Sequence, residues 1–280
     1  MKIRLLICSL FLISFLNVKA QGKFSVNANV TTEPTEKIDF NRTNIGIQFS
    51  KKINAKNEIT NTLEYSNLKV NYELGSFQSF ENLDRFNEIK DKFEIENQIS
   101  NKTKLSFTLI PMVSFQQNLD FSDFSLLGNF EIKQQLNSNI VINIGAARTA
   151  VFGYPKFMPT LSLDYHINDK SNVLIGFPDS KISYSNNIRN VFSLTNSFNG
   201  SFYNLDSQLN QTNNATRISL SQITLALNYE RNMDGNWFMN FKAGYDFNKE
   251  YKLIDDNNHT VTDFNTGNGY VLGIGIKYKQ

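Results

Sequence analysis

One of the clearest alternations in the chain is WFMNFKAGYDF, residues 237–247. Trp237, Met239, Phe241, Ala243, Tyr245 and Phe247 share one parity; Asn240, Lys242, Gly244 and Asp246 share the other, with Phe238 the exception. Successive side chains of an extended chain point to opposite faces, so this segment reads as a strand with one greasy and one polar side. Soluble strands cluster near five or six residues, whereas a tilted strand crossing a bilayer needs about 9–11. The greasy side must meet either a second sheet or lipid.

The same period recurs throughout. Phe24, Val26, Ala28 and Val30 open the series, and Tyr270, Leu272, Ile274, Ile276 and Tyr278 close it. Segments 58–74, 86–100, 103–115, 123–136 and 217–231 all reach spanning length. Twice the apolar parity switches, from Ile59, Leu63 and Tyr65 to Leu68, Val70 and Tyr72, and from Ile218 and Leu220 to Ile223. A β-bulge produces such a slip, so one is expected at each place.

The connections alternate between tight and long. Segments 54–57, 101–102, 137–139, 168–171 and 233–236 are rich in turn residues, while longer polar joins fall near 75–85, 116–122, 205–216 and 250–268. Short periplasmic turns and longer extracellular loops are the habit of outer-membrane barrels. With the tight turns at the periplasm, the first strand starts there and the last ends there. The two can therefore meet antiparallel and close an even-numbered sheet. The expected fold is an all-β antiparallel transmembrane barrel of about twelve strands, or fourteen if both NVLIGF (172–177) and KISYS (181–185) span. The competing fold is a soluble periplasmic β-sandwich, which alternates for the same reason but with shorter strands.

Export is written at the N-terminus. Lys2 and Arg4 precede an apolar run from Leu5 to Leu16, and Val18-Lys19-Ala20 precede a cut after Ala20. That run is too short for a helical span, which needs about 20 residues, and fits a secretory signal. Residues 1–20 are thus a signal peptide and 21–280 a single domain. Cleavage removes the only cysteine, Cys8, so neither disulfide nor thiol chemistry is expected. It also removes three of the 28 basic residues, leaving 25 against 26 acidic ones. A near-neutral chain has no electrostatic pull toward nucleic acid.

The stretch NVLIGFPDSKISYSNNIRNVFSLTNSFNGSFYNL, 172–205, carries a resemblance. Gly176, Phe177, Pro178, Ser180, Ile182, Tyr184, Gly200 and Tyr203 resemble an uncharacterised family of outer-membrane β-barrels labelled only as a domain of unknown function, number 6268. The resemblance implies the barrel and no activity. Pro178 cannot donate to a ladder; the segment through Pro178, Ser180, Ile182 and Tyr184 is therefore a candidate constriction folded into the lumen, with an external loop as the alternative. The final strand, GYVLGIGIKYKQ, resembles the assembly signal of bacterial barrels. It departs from that signal by ending in Gln280 rather than an aromatic residue.

Chemistry is sparse. Ser162, Asp164 and His166 share one polar face, which invites comparison with barrel-embedded lipid hydrolases. At about 3.3 Å per residue, however, Ser162 and His166 stand roughly 13 Å apart, beyond hydrogen-bond reach. His166 is a weak catalytic candidate and an enzyme is not expected. Asp255, Asp256 and His259 match no metal motif, and neither metal nor cofactor is expected. Glu94, Glu96, Glu131, Lys133, Asp164, His166, Glu230, Lys242 and Asp246 fall on polar faces and are expected to line the lumen. Their mixed signs suggest cross-lumen pairing rather than charge selectivity. The expected protein is a monomeric Gram-negative outer-membrane barrel, a passive narrow pore or a structural barrel, partnered by lipid and by the barrel-assembly machinery.

Overall fold

The computed structural model describes residues 22–72, 82–206 and 215–280; the signal segment and parts of the joins 75–85 and 205–216 lie outside the described residues. Fifteen strands follow in order: β1 (Lys23–Pro34), β2 (Ile38–Lys52), β3 (Asn57–Tyr72), β4 (Arg85–Gln98), β5 (Thr103–Phe115), β6 (Phe124–Gln135), β7 (Ile140–Thr149), β8 (Lys156–Asn168), β9 (Ser171–Phe177), β10 (Asp179–Asn187), β11 (Asn190–Asn204), β12 (Arg217–Asp234), β13 (Trp237–Ile254), β14 (Thr260–Asp263) and β15 (Gly269–Lys279). Strands β1 to β13 each pair antiparallel with the next, β13 pairs with β15, and β15 returns to β1 with Val30 opposite Ile274. Fourteen strands therefore close an antiparallel barrel, and closure covers the long edges that β1 and β15 would otherwise expose to aggregation. β14 is a short ribbon on the upper end of β13.

Six tight turns fall on one rim, together with the start of β1 and the end of β15. Asparagines build them. Asn54 Oδ1 accepts from the N–H groups of Lys56 and Asn57, Asn137 Oδ1 from those of Asn139 and Ile140, and Asn187 Oδ1 from those of Arg189 and Asn190. A short amide side chain mimics a backbone turn in this way. The long joins occupy the other rim, together with the short β1–β2 turn at 35–37 and the β9–β10 turn at 178. The last of them starts at residue 255, because β13 runs on to Ile254.

Twelve strands give way to fourteen because β9 and β10, seven and nine residues long, both lie in the wall. Tyr184 pairs with Ser171 of β9 and Phe192 of β11. The inward fold expected of Pro178, Ser180, Ile182 and Tyr184 is likewise corrected. Pro178 sits in the turn between β9 and β10, where no ladder donor is needed, and its carbonyl accepts from the Phe198 N–H at 3.1 Å. Ile182 and Tyr184 face outward and are about half exposed; an apolar side chain gains more from lipid than from a polar lumen.

Because this hairpin is short, the wall above it closes differently. Phe198–Asn204 of β11 have no β10 partner. The β7–β8 loop fills the gap, with Phe152 stacked on Phe177 at 6.1 Å and Phe198 5.2 Å from Phe177. Gly200 permits the approach, since a Cβ there would meet the Ala150 carbonyl at 2.1 Å. The upper end of β11 leans across the barrel: Asn204 bridges to Phe115 of β5, and Phe202 packs with Met112, Leu127 and Ala150.

The leaning strands explain the parity switches. On β3 the register with β2 and β4 is continuous through 59–69, so no bulge lies there. Leu68 and Val70 are instead apolar residues on the inward face, both 1% exposed. The second switch does involve a bulge, between Ser221 and Ile223 in the β12–β13 ladder. Its extra residue belongs to β13, where Asn248 has φ 48°, so the inward set passes from Asp246 to Lys249, Tyr251 and Leu253. On β12 itself the register with β11 is unbroken, and Ile218 and Leu220 simply face in.

Candidate functional site

The outer face is an apolar belt. Val30, Ile45, Phe107, Phe130, Ile144, Leu161, Ile175, Leu194, Leu227, Phe241, Leu272 and Ile276 all project from it, with Leu227 65% exposed. The interior is layered.

Toward the long-loop rim, β2–β4 and β11–β13 pack an apolar plug across the barrel. Phe40, Phe86, Tyr203, Tyr251, Ile218 and Leu253 are fully buried. Phe40 meets Tyr251 edge-on at 5.1 Å, Phe86 lies 5.1 Å from Tyr203, and the Tyr72 and Tyr251 hydroxyls are 2.8 Å apart. Alternation alone does not reveal this plug, because it looks like the lipid face with its phase displaced. The usable signal is the pair of parity switches.

Beneath the plug lies a buried ion cluster. Lys249 has no exposed side-chain surface; its Nζ donates to Glu33 Oε2 at 2.5 Å and Asp246 Oδ2 at 3.1 Å, and sits 4.5 Å over the Phe40 ring. Gln222 Nε2 donates to both carboxylates, and Thr224 Oγ1 donates to Asp246 Oδ1 at 2.7 Å. Arg42 donates to the Tyr203 hydroxyl at 3.1 Å, and Lys90 pairs with Glu88 at 2.7 Å. A buried charge is costly unless it is paired and hydrogen-bonded, and Lys249, Glu33 and Asp246 are both. Glu33 and Lys249, 216 positions apart, give no sequence signal of their pairing.

Below the cluster a polar chamber of about 350 Å³, lined by Asn29, Asn44, Glu64, Asn199 and Lys242 among others, adjoins a second of about 440 Å³ that reaches Thr195, Asn228 and Glu230. Lys242 lines both. Gly273 and Gly275 leave room beside it, for a Cβ at Gly275 would come within 1.9 Å of Asn29 Oδ1.

The residues singled out from the sequence are placed as follows. Glu96 pairs with Lys133 and, at 3.8 Å, with Lys104; Glu94 pairs with Lys92 at 2.9 Å. Glu131 stands in register with Ser106 of β5 and Gly145 of β7. Glu230 lies between Lys277 and Lys279. Asp164 is flanked by Val141 and Leu174, and Asp246 belongs to the buried cluster. His166 is at the tight-turn rim, its Nε2 4.0 Å from Asp169, while the Ser162 hydroxyl accepts from Asn143 at 2.9 Å. Serine and histidine are thus engaged apart. In the last join, His259 Nδ1 is 3.3 Å from Asp255, whose carboxylate accepts from the N–H groups of His259 and Asn257.

A closed antiparallel sheet with an apolar exterior and a polar lumen is the architecture of membrane β-barrels. Residues 113–279 match the family described as "Domain of unknown function (DUF6268)", and the chain belongs to that family. No curated protein matches it. Among solved structures, the toluene transporter TodX of P. putida is similar over 94% of this chain and 90% of its own, with 10% identity and a TM-score of 0.48. A FadL homologue of Pseudomonas aeruginosa is similar over 92% and 89%, with 8% identity and a TM-score of 0.47. The NanC porin is similar over 91% and 100%, with 6% identity and a TM-score of 0.44. Likenesses this distant carry no information about solutes.

Proposed function

We propose that this chain is an integral outer-membrane barrel of a Gram-negative bacterium, exported by residues 1–20, and a passive narrow pore held shut at its long-loop end. The continuous apolar belt carries the reading: monomeric soluble proteins rarely expose contiguous apolar patches beyond a few hundred Å², and hydrocarbon is the solvent that fits. The tight-turn rim faces the periplasm, so small polar solutes enter the chamber from that side and stop at the plug. The paired charges favour no sign of solute.

The protein is not an enzyme in this reading, since Ser162 is bonded to Asn143 and His166 stands apart from it at the tight-turn rim. It works as a monomer, bound to lipid, delivered through its last strand to the barrel-assembly machinery, and it does not bind nucleic acid. Heat-modifiable gel migration in detergent tests the barrel, and planar-bilayer conductance of the refolded protein tests the pore. Folded, stable protein dissolved without detergent would refute the proposal. Lipid hydrolysis that is lost in His166→Ala would overturn the passive assignment.

A further inference from the structure

The leaning of β11–β13 toward β2–β5 has a counterpart on the outside. Where a barrel wall is ordinarily convex, the outer face from β10 through β11, β12, β13 and β15 to β1 is concave and forms a groove of about 780 Å³. Its banks are Ile182 and Tyr184 on one side and Val30 on the other; Leu194, Leu227 and Leu272 lie between them. The surface is almost entirely apolar. Flat annular hydrocarbon does not fill such a hollow without bending into it.

The groove is asymmetric along its length. Toward the tight-turn rim it ends in a stack of three rings, Phe192 on Tyr229 at 4.9 Å and Tyr229 on Phe241 at 6.2 Å. Just beyond stand two exposed arginines. Arg231 follows Tyr229 on the outward face of β12, opposite Asn190, and Arg189 occupies the adjacent turn, where its carbonyl accepts from the Asn232 N–H at 2.7 Å. Among the described residues, neither guanidinium has a carboxylate within 4.0 Å. Arginine matches phosphate geometry with paired N–H donors, and a tyrosine such as Tyr229 or Tyr184 suits the headgroup level.

We infer that this groove holds one glycerophospholipid of the periplasmic leaflet, an acyl chain lying along Leu227 and Leu194 and the phosphate on Arg189 and Arg231. The inference rests on the membrane reading above and adds to it a resident lipid.

Native mass spectrometry of detergent-extracted protein, supplied with phosphatidylglycerol or phosphatidylethanolamine, tests it. One lipid should stay bound to the wild type after mild delipidation. Retention should fall at least fivefold in the Arg189→Gln/Arg231→Gln double variant and in the groove-filling Leu227→Trp, and should persist in the control Lys56→Gln on the same rim. Equal retention by all variants overturns the site, as does a wild type that keeps no lipid, or a dimer that forms without lipid and is lost in Leu227→Trp. Heat-modifiable migration of each variant keeps the two readings separable: a folded barrel without lipid refutes this inference alone, whereas protein that needs no detergent refutes the membrane reading.

Discussion

Single residues inside this barrel differ greatly in what they are worth. Lys249 is wholly enclosed between Glu33 and Asp246. Lys249→Met leaves two buried carboxylates facing each other, and breaking a buried pair costs about 3–5 kcal/mol; urea unfolding in lipid vesicles should show a loss of that size. Lys92→Met removes a partner of Glu94 whose own side chain is 47% exposed, and the same assay should find at most about 1 kcal/mol. In the loop at the long-loop rim, the N–H groups of His259 and Asn257 hold the Asp255 carboxyl below the usual aspartate value. A depressed carboxyl stabilises the loop above its ordinary titration range and ceases to as pH falls through the folded value. The amide resonances of Asn257 and His259 should therefore titrate together, with a midpoint more acidic than a free aspartate. An ordinary midpoint would remove Asp255 from its capping role.

At the scale of the strand, facing is the testable quantity. Leu225 lies on the outer face of β12 and Asn228 on the inner one. Arginine at Leu225 should cost about 2–4 kcal/mol if that position is near mid-bilayer, and arginine at Asn228 clearly less; equal losses in refolding titrations would contradict the assigned faces. Most of the strands are readable because period two survives wherever water and lipid lie on opposite sides. Two kinds of element are not. β9, at seven residues, falls short of the membrane-crossing length and β10, at nine, only just reaches it, so a length criterion misses a hairpin that crosses only the lower part of the wall. On β3 the register is regular while the apolar parity changes at Leu68, because the solvent on the inside changes from water to packed side chains. Parity reports which face is apolar, and it was the interior rather than the backbone that switched. The ion cluster is illegible for a third reason, since Glu33, Gln222 and Lys249 meet only after the barrel has closed.

For the whole molecule, the plug and the inward lean are one arrangement, and it governs permeability. Phe40→Ala removes a fully buried ring at the centre of the plug and should cost about 3–5 kcal/mol in unfolding; planar-bilayer recordings should show channel openings that the wild type lacks or shows rarely. A folded Phe40→Ala barrel as silent as the wild type would mean that the barrier lies elsewhere. Closure itself depends on the chain's two extremities, for β1 and β15 are sewn together from Ser25 opposite Lys279 to Thr32 opposite Leu272. β15 also pairs with β13 along its other side, so the edges of β1 and β13 both stay open until this one strand is seated between them. A barrel without that keystone would present two strand edges to any neighbour able to pair with them, and seating it removes both at once.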